Sequence, residues 1–263
     1  MTTLPPMLRP LFDLTGRVAI VTGGSRGLGL QIATASGEYG ARVALVARRA
    51  DELDGAVAAL KTRGIAAHAF AADLGKADAA GELVARIVSS LGRIDVLVNN
   101  AGATWGAPAE DHPLDGWNKV IDLNVTGLFV LTQAVARAAF LPQGGGSVIN
   151  VASIEGLLGH HPERTGTIAY NTAKGAVINM TRALAAEWGP RNIRVNALAP
   201  GFFPSKMASG EIDRHGAEMI RQTPLGKLGG ETDLMGPALL LASDAGGHIT
   251  GQVIVVDGGT TII

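Results

Sequence analysis

The feature that most constrains this chain is a set of short runs that are apolar at nearly every position: Val18–Val21, Val43–Val46, Ala67–Ala71, Asp95–Val98, Ser147–Val151, Ile193–Ala197 and Val253–Val256. A strand that buries one face alternates apolar and polar residues, whereas strands like these must be covered on both faces. Helical patterns fill the gaps between them, at Leu28–Tyr39, Asp51–Arg63, Ala79–Leu91, Gly116–Phe140, Ala169–Trp188 and Glu231–Ser243. Strand and helix in alternation predict an α/β fold, a doubly wound parallel sheet of seven strands flanked by helices. Gly40, Gly64, Gly92 and Gly189 follow four of the helices, where a left-handed C-terminal residue favours glycine.

Nothing divides the 263 residues: no composition shift, long linker or internal repeat is visible, so positions 1–263 read as one domain with a ragged N-terminal arm at 1–12. The formal net charge of -1 argues against a nucleic-acid surface. With Cys 0 there is no disulfide framework, thiolate metal site or cysteine nucleophile, which suits a reducing, cytoplasmic setting. Met1 to Arg17 lacks the basic-then-apolar pattern of a signal peptide. The best membrane-span candidate, Val125–Pro142, is interrupted by Gln133 and Arg137, so no membrane partner is expected. Aromatic residues make up only 4% while Gly numbers 36, so the core has to be built from Ala, Val, Leu and Ile with close backbone approaches.

After the first run comes Gly23-Gly24-Ser25-Arg26-Gly27-Leu28-Gly29, opening directly into a helix. A pyrophosphate needs glycines that let the backbone approach and a helix start with free N–H groups, as in a Rossmann nucleotide site. The residue reading the adenosine ribose should follow the second strand, about 20 residues beyond the glycines. Arg48 and Arg49 stand there in place of a carboxylate. A guanidinium fork suits a 2′-phosphate, and Arg26 adds a second cation, so the cofactor reads as NADP(H) in preference to NAD(H). The alternative is that Arg48 and Arg49 are solvated residues paired with Asp51 or Glu52.

Tyr170 and Lys174 stand four positions apart, hence on one helix face, where a cation would lower the pKa of a phenol and make it a general acid or base. Ser153 follows the fifth strand, and Asn99-Asn100-Ala101-Gly102 ends the fourth, both where doubly wound sheets bind ligands. Taken with Asp73-Leu74, Asn124, Pro200-Gly201 and Asp257-Gly258-Gly259, these motifs resemble the short-chain dehydrogenase/reductase family from about Leu11 to Gly259.

The resemblance implies an oxidoreductase in which Tyr170 exchanges a proton with the substrate oxygen, Ser153 orients that oxygen, Lys174 biases Tyr170 and holds the nicotinamide ribose, and Asn124 holds a relay water. It also implies that Asp73 meets the adenine edge with Leu74 beside it, that Asn100, Ala101 and Gly102 line the adenosine side, and that the loop from Pro200 and Gly201 wraps the nicotinamide. Phe203 stands where the family often has Ile or Val, and Ser205 where it has Thr. Outside the resemblance, Asn124 could brace a helix, Ser153 could belong to a turn and Asp73 could cap a helix.

Ser153 and Tyr170 are 17 positions apart, longer than the family's usual spacing, with the extra length in Gly159–Gly166. His160 and His161 within it have no partners at metal-ligand spacing, so no metal is expected. Residues 202–225 resemble a substrate lid. Phe202, Phe203, Met207, Met219 and Ile220, with Trp105 and Leu157 or Leu158, predict an apolar pocket mouth, while Lys206, Arg214 and Arg221 offer cations for the phosphates of a coenzyme A or carrier-protein arm. The sequence resembles 3-oxoacyl-(acyl-carrier-protein) reductases, which favours a 3-oxoacyl thioester as substrate. It also resembles gluconate 5-dehydrogenases, which keeps a sugar or polyol dehydrogenase open, with a non-catalytic nucleotide sensor as the remote reading. The Ala-rich Gly116–Phe140 and Ala169–Trp188 helices match those the family pairs across two-fold axes, implying a homotetramer or homodimer.

Overall fold

The computed structural model describes residues 8–76, 78–159 and 164–263. Each apolar run forms a strand: β1 Val18–Thr22, β2 Arg42–Ala47, β3 Ala67–Ala71, β4 Val96–Asn99, β5 Gly146–Val151, β6 Ile193–Pro200 and β7 Val253–Val256. They pair in parallel throughout, in the order β3-β2-β1-β4-β5-β6-β7. The chain winds outward from β1 to β3, then returns to place β4 on β1's other side. The C-terminal ends of β1 and β4 therefore open a crevice where the strand order reverses.

Alternate residues of β1 explain the double coverage. Ala19 and Val21 face Ile32, Leu53, Leu60 and Leu241, which come from the helices Gly27–Glu38, Ala50–Thr62 and Met235–Ala242. Val18 and Ile20 face Leu83, Ile87, Leu131, Val135 and Trp188 from Ala79–Leu91, Leu114–Gln143 and Ile168–Trp188. Every β1 residue is buried, and its two Val and one Ile side chains each contribute roughly 1.5–3 kcal/mol of transfer free energy.

Several boundaries depart from expectation for local reasons. Gly40, Gly64 and Gly92 take positive φ as predicted, but Gly189 has φ -51 and opens a 3₁₀ turn; the left-handed residue there is Asn192 at φ 58. The last helix begins at Met235, not Glu231, because Asp233 accepts from the Gly230 N–H at 2.8 Å and the Lys227 ammonium at 3.0 Å, fixing a turn. Part of the expected irregular arm, Leu8–Phe12, is a short helix. The mixed stretch expected to be helical up to Arg221 does form a helix, Ser209–Gln222. Leu114–Gln143 is long and apolar enough to cross a membrane, yet 44% of its apolar window is buried in this fold. Within it, Asp122–Gly127 and Ala136–Phe140 are wound as π-helix, and the first of these holds Asn124.

Candidate active site

A cavity of about 960 Å³ runs along the C-terminal ends of β1, β2, β4, β5 and β6. Its nucleotide-like end is built where β1 stops. Thr22 Oγ1 accepts from the N–H groups of Asn100 and Ala101, both at 2.9 Å, while the Asn100 amide donates to Thr22 O at 2.9 Å and Gly23 O at 3.2 Å. This lacing holds the glycine turn against the end of β4. Gly29 carries no side chain for a steric reason, since a Cβ there would lie 2.3 Å from Gly23 O and 2.5 Å from the Asn100 amide. The helix Gly27–Glu38 has no side-chain cap, so its first N–H groups stay available to an anion. Gly23, Ser25, Arg26, Gly27 and Leu28 line the cavity, and Gly29 lies just behind them.

The three arginines converge on the far end of the same wall but are not equivalent. Arg49 is 2.5 Å from Asp51 and 3.4 Å from Glu52, and Arg26 is 3.0 Å from Glu52, as the alternative sequence reading allows. Arg48 lines the cavity with no ion-pair partner among the described residues. Asp73, Leu74, Asn100, Ala101 and Gly102 complete this half. Asp73 Oδ1 also accepts from the Gly75 N–H at 3.2 Å, which holds the turn after β3.

In the other half the cavity reaches Ser153, Tyr170 and Lys174. Ser153 leads out of β5 and its Oγ accepts from the Glu155 N–H at 3.2 Å, leaving the hydroxyl proton to be donated. Tyr170 and Lys174 share the first turns of Ile168–Trp188, and the ammonium lies 5.5 Å from the phenol ring centre. Lys174 is 5% exposed and donates to Val151 O at 2.6 Å. Burial brings its pKa down to about 8. The expectation that the cation lowers the pKa of Tyr170 is not met in this state. Burial wins and pushes the phenol up to about 12, against a lowering hydrogen bond with Ser153 and with a further rise from the Glu155 charge.

Asn124 stands outside the cavity lining. Its Oδ1 accepts from the Ala103 N–H at 2.8 Å and its Nδ2 donates to Ala103 O at 2.9 Å, so it braces the loop after β4. A Cβ on Gly102 would approach Asn124 Oδ1 to 3.3 Å and Lys174 Nζ to 3.9 Å, which places these groups around one small space.

After β6, Pro200, Gly201, Phe202, Phe203, Ser205 and Met207 all line the cavity. The Phe203 ring fits because Gly229 faces it, where a Cβ would come within 2.4 Å. Ser205 Oγ accepts from the Ala208 N–H at 3.2 Å in the turn that leads to the Ser209–Gln222 helix. Four residues predicted for the substrate mouth do not line the cavity: Trp105, Leu157, Leu158 and Ile220. Trp105 packs over Gly116 beneath Lys119, and Leu157 points to solvent at 41% exposure. Polar groups that sequence reasoning passed over stand in the wall instead: Glu155, Thr165, Thr167 and Arg164. Arg164 lies 4.9 Å from the Phe202 ring centre and donates to Gln222 at 3.0 Å. Glu155 is tied to Asn171 at 2.6 Å, and Asn171 accepts from Thr167 at 2.8 Å. His160 and His161 lie outside the described residues, and among the described residues no three His, Cys, Asp or Glu side chains gather to hold a metal.

A family model described as enoyl-(acyl carrier protein) reductase matches residues 23–261. The chain is 38% identical over 254 residues to a gluconate 5-dehydrogenase of Gluconobacter oxydans, covering 96% of this chain and 97% of the relative. It is 37% identical over 262 residues to a rhamnolipids biosynthesis 3-oxoacyl-[acyl-carrier-protein] reductase of Pseudomonas aeruginosa, covering 96% and 99%. Among solved structures, a gluconate 5-dehydrogenase of Burkholderia cenocepacia in complex with NADP and tartrate superposes with a TM-score of 0.91 at 32% identity, covering 97% of this chain and 99% of that one. With its motifs in order along a seven-stranded parallel sheet and a family match over nearly its whole length, the chain is an oxidoreductase that belongs to the short-chain dehydrogenase/reductase family.

Proposed function

We propose that the protein is an NADP(H)-dependent carbonyl reductase and alcohol dehydrogenase whose substrate is a 3-oxoacyl thioester. The observation that carries the activity is the convergence of Ser153, Tyr170 and Lys174 on one end of a cavity whose other end holds the glycine turn and Arg48. The residues fit a dinucleotide phosphate: Gly29 leaves a cradle that a Cβ would fill, and Arg48 has no carboxylate partner among the described residues. The Burkholderia neighbour, solved with NADP, supports the same assignment. In this reading Gly23, Ser25, Gly27, Leu28 and Gly29 hold the pyrophosphate. Arg26, Arg48 and Arg49 hold the 2′-phosphate, Asp73 and Leu74 the adenine, Asn100 to Gly102 the adenosine side, and Pro200, Gly201, Phe203 and Ser205 the nicotinamide end.

When bound, the cofactor supplies the hydride to the carbonyl carbon or accepts it back. Tyr170, protonated at neutral pH because burial holds its pKa near 12, donates its proton to the carbonyl oxygen. Ser153 donates a hydrogen bond to that oxygen and keeps it within reach. Lys174, still charged at neutral pH, stabilises the phenolate that Tyr170 becomes. Asn124 keeps the loop after β4 in place around Gly102.

The thioester reading is supported by Phe202, Met207 and Met219 as an apolar wall beside Arg164 and Lys206, cations without a carboxylate partner among the described residues. One observation favours a keto-sugar acid: Arg164, Thr165 and Thr167 stand together in the same wall and match a carboxylate and hydroxyls. Initial rates of NADPH oxidation with acetoacetyl-CoA and with 5-keto-gluconate, repeated with NADH, decide between them. Faster, NADPH-selective turnover of the thioester supports the first reading; turnover of the keto-acid alone replaces it with the second.

The segment 202–225 acts as the substrate lid, and the chain assembles as a homotetramer or homodimer. The assembly is supported by Phe129 and Leu141, which stay exposed on the Leu114–Gln143 helix. Light scattering that reports a monomer at micromolar concentration refutes it.

A further inference from the structure

We infer that Glu52 is a built-in rival of the nucleotide's 2′-phosphate, occupying two of the three arginines at that end of the cavity and so setting how strongly the protein prefers NADP(H) to NAD(H). The inference rests on the NADP(H) reading above and concerns a residue that reading does not use. Glu52 Oε1 lies 3.0 Å from the Arg26 guanidinium and 3.4 Å from that of Arg49, and Ser25 Oγ is 3.5 Å from its other oxygen. All four residues, and Arg48, line the cavity. The carboxylate is the more buried partner, 25% exposed against 55% and 62% for the two arginines. It stands in the first turn of Ala50–Thr62, where the partial positive charge of the helix start favours an anion.

A carboxylate bridging two guanidiniums makes the same demand as a phosphate: oxygen acceptors placed between donor forks. Before nucleotide arrives the cluster of Arg26, Arg48 and Arg49 with Asp51 and Glu52 carries a net charge of +1, and of the three arginines Arg48 alone has no ion-pair partner among the described residues. A 2′-phosphate must therefore displace Glu52 from Arg26 and Arg49 or share them with it, against repulsion between like charges a few ångströms apart. NAD(H) and 5′-AMP bring a neutral 2′-hydroxyl and meet no such repulsion. On this logic Glu52 reduces 2′-phosphate affinity selectively and leaves the adenosine subsite unchanged.

The test is calorimetric binding of adenosine 2′,5′-bisphosphate and of 5′-AMP to the wild type, Glu52→Gln and Arg48→Ala, at low and at physiological salt. Glu52→Gln is expected to bind the bisphosphate about threefold to tenfold more tightly at low salt, with 5′-AMP unchanged within a factor of about two. Unchanged 5′-AMP binding shows that the fold and the adenosine subsite survive the substitution. The ratio of kcat/KM for NADPH over NADH should rise by a similar factor. If Glu52→Gln binds the bisphosphate as the wild type does, or more weakly, the inference is overturned, because the carboxylate then only props the arginines. The NADP(H) reading fails separately, in the wild type itself: equal binding of the two probes, with no loss in Arg48→Ala, removes it whatever Glu52 does.

Discussion

Replacing Lys174 by Met should make the protein more stable and inactive. The ammonium is 5% exposed, has one hydrogen bond among the described residues, to Val151 O at 2.6 Å, and desolvation lowers its pKa from 10.5 to about 8. A base whose folded pKa is depressed is protonated more readily in the unfolded chain, so the folded state carries a penalty. The penalty is full below about pH 8 and is relieved as pH rises toward 10.5. At 1.36 kcal/mol per pH unit it amounts to about 3 kcal/mol at pH 7. Methionine matches the stem and carries no charge, and losing the bond to Val151 O gives back about 1 kcal/mol. The variant should therefore gain about 2 kcal/mol at pH 7, and the gap should close as pH approaches 10.5. Urea denaturation of both proteins at pH 7 and pH 10 measures it. A variant less stable than wild type at pH 7, or a gap that ignores pH, would show that burial does not penalise this charge.

Glu155→Gln removes a charge that raises the pKa of Tyr170, so the alkaline fall in kcat/KM for reduction, where the phenol loses its proton, should move to lower pH; a pH–rate profile in which it stays or moves up contradicts this. In Gly29→Ala the new Cβ would meet Gly23 O at 2.3 Å, so the protein should fold yet bind NADPH at least about tenfold more weakly by fluorescence titration. Arg194 is partly buried and donates to Leu241 O at 2.8 Å and Ser243 O at 3.1 Å. Arg194→Met, which removes those two charge-assisted bonds while Leu241 O keeps the Ser147 hydroxyl and Ser243 O keeps the Gly246 N–H, should cost about 1–2 kcal/mol by urea denaturation, and no measurable loss would count against that role.

The sheet was legible because its signal is local. Strands covered on both faces are apolar residue by residue, and the expected bounds of β3 and β7 coincide with those observed. The glycine turn was legible for a related reason, since the close approach of Gly29 to Gly23 is enforced over six positions of chain. The substrate wall carries no such signal. Arg164 meets Phe202 and Gln222 only through the fold, so nothing near it in sequence marks it as part of the cavity. Trp105 and Leu157 mislead in the opposite way: both are apolar and adjacent to site motifs, but one fills the space over Gly116 and the other faces water. Spacing likewise showed that Tyr170 and Lys174 share a face but not that the surrounding fold partly desolvates the phenol, which is why the expected sign of its pKa shift failed.

That reversed sign bears on the direction of the reaction. Burial disfavours a lone phenolate and a lone ammonium alike, which is why the pKa of Tyr170 rises while that of Lys174 falls. In the proposed mechanism, proton transfer from Tyr170 to a substrate oxygen creates a phenolate near the buried ammonium of Lys174, and the low dielectric that penalised each charge alone then strengthens their attraction. Reduction thus starts from the protonation states that hold at neutral pH, a neutral phenol and a charged lysine. Alcohol oxidation must instead start from a phenolate, which this environment supplies only as pH rises. An enzyme built this way should favour carbonyl reduction near neutrality and need an alkaline medium to run in reverse, with the two pH profiles leaning to opposite sides.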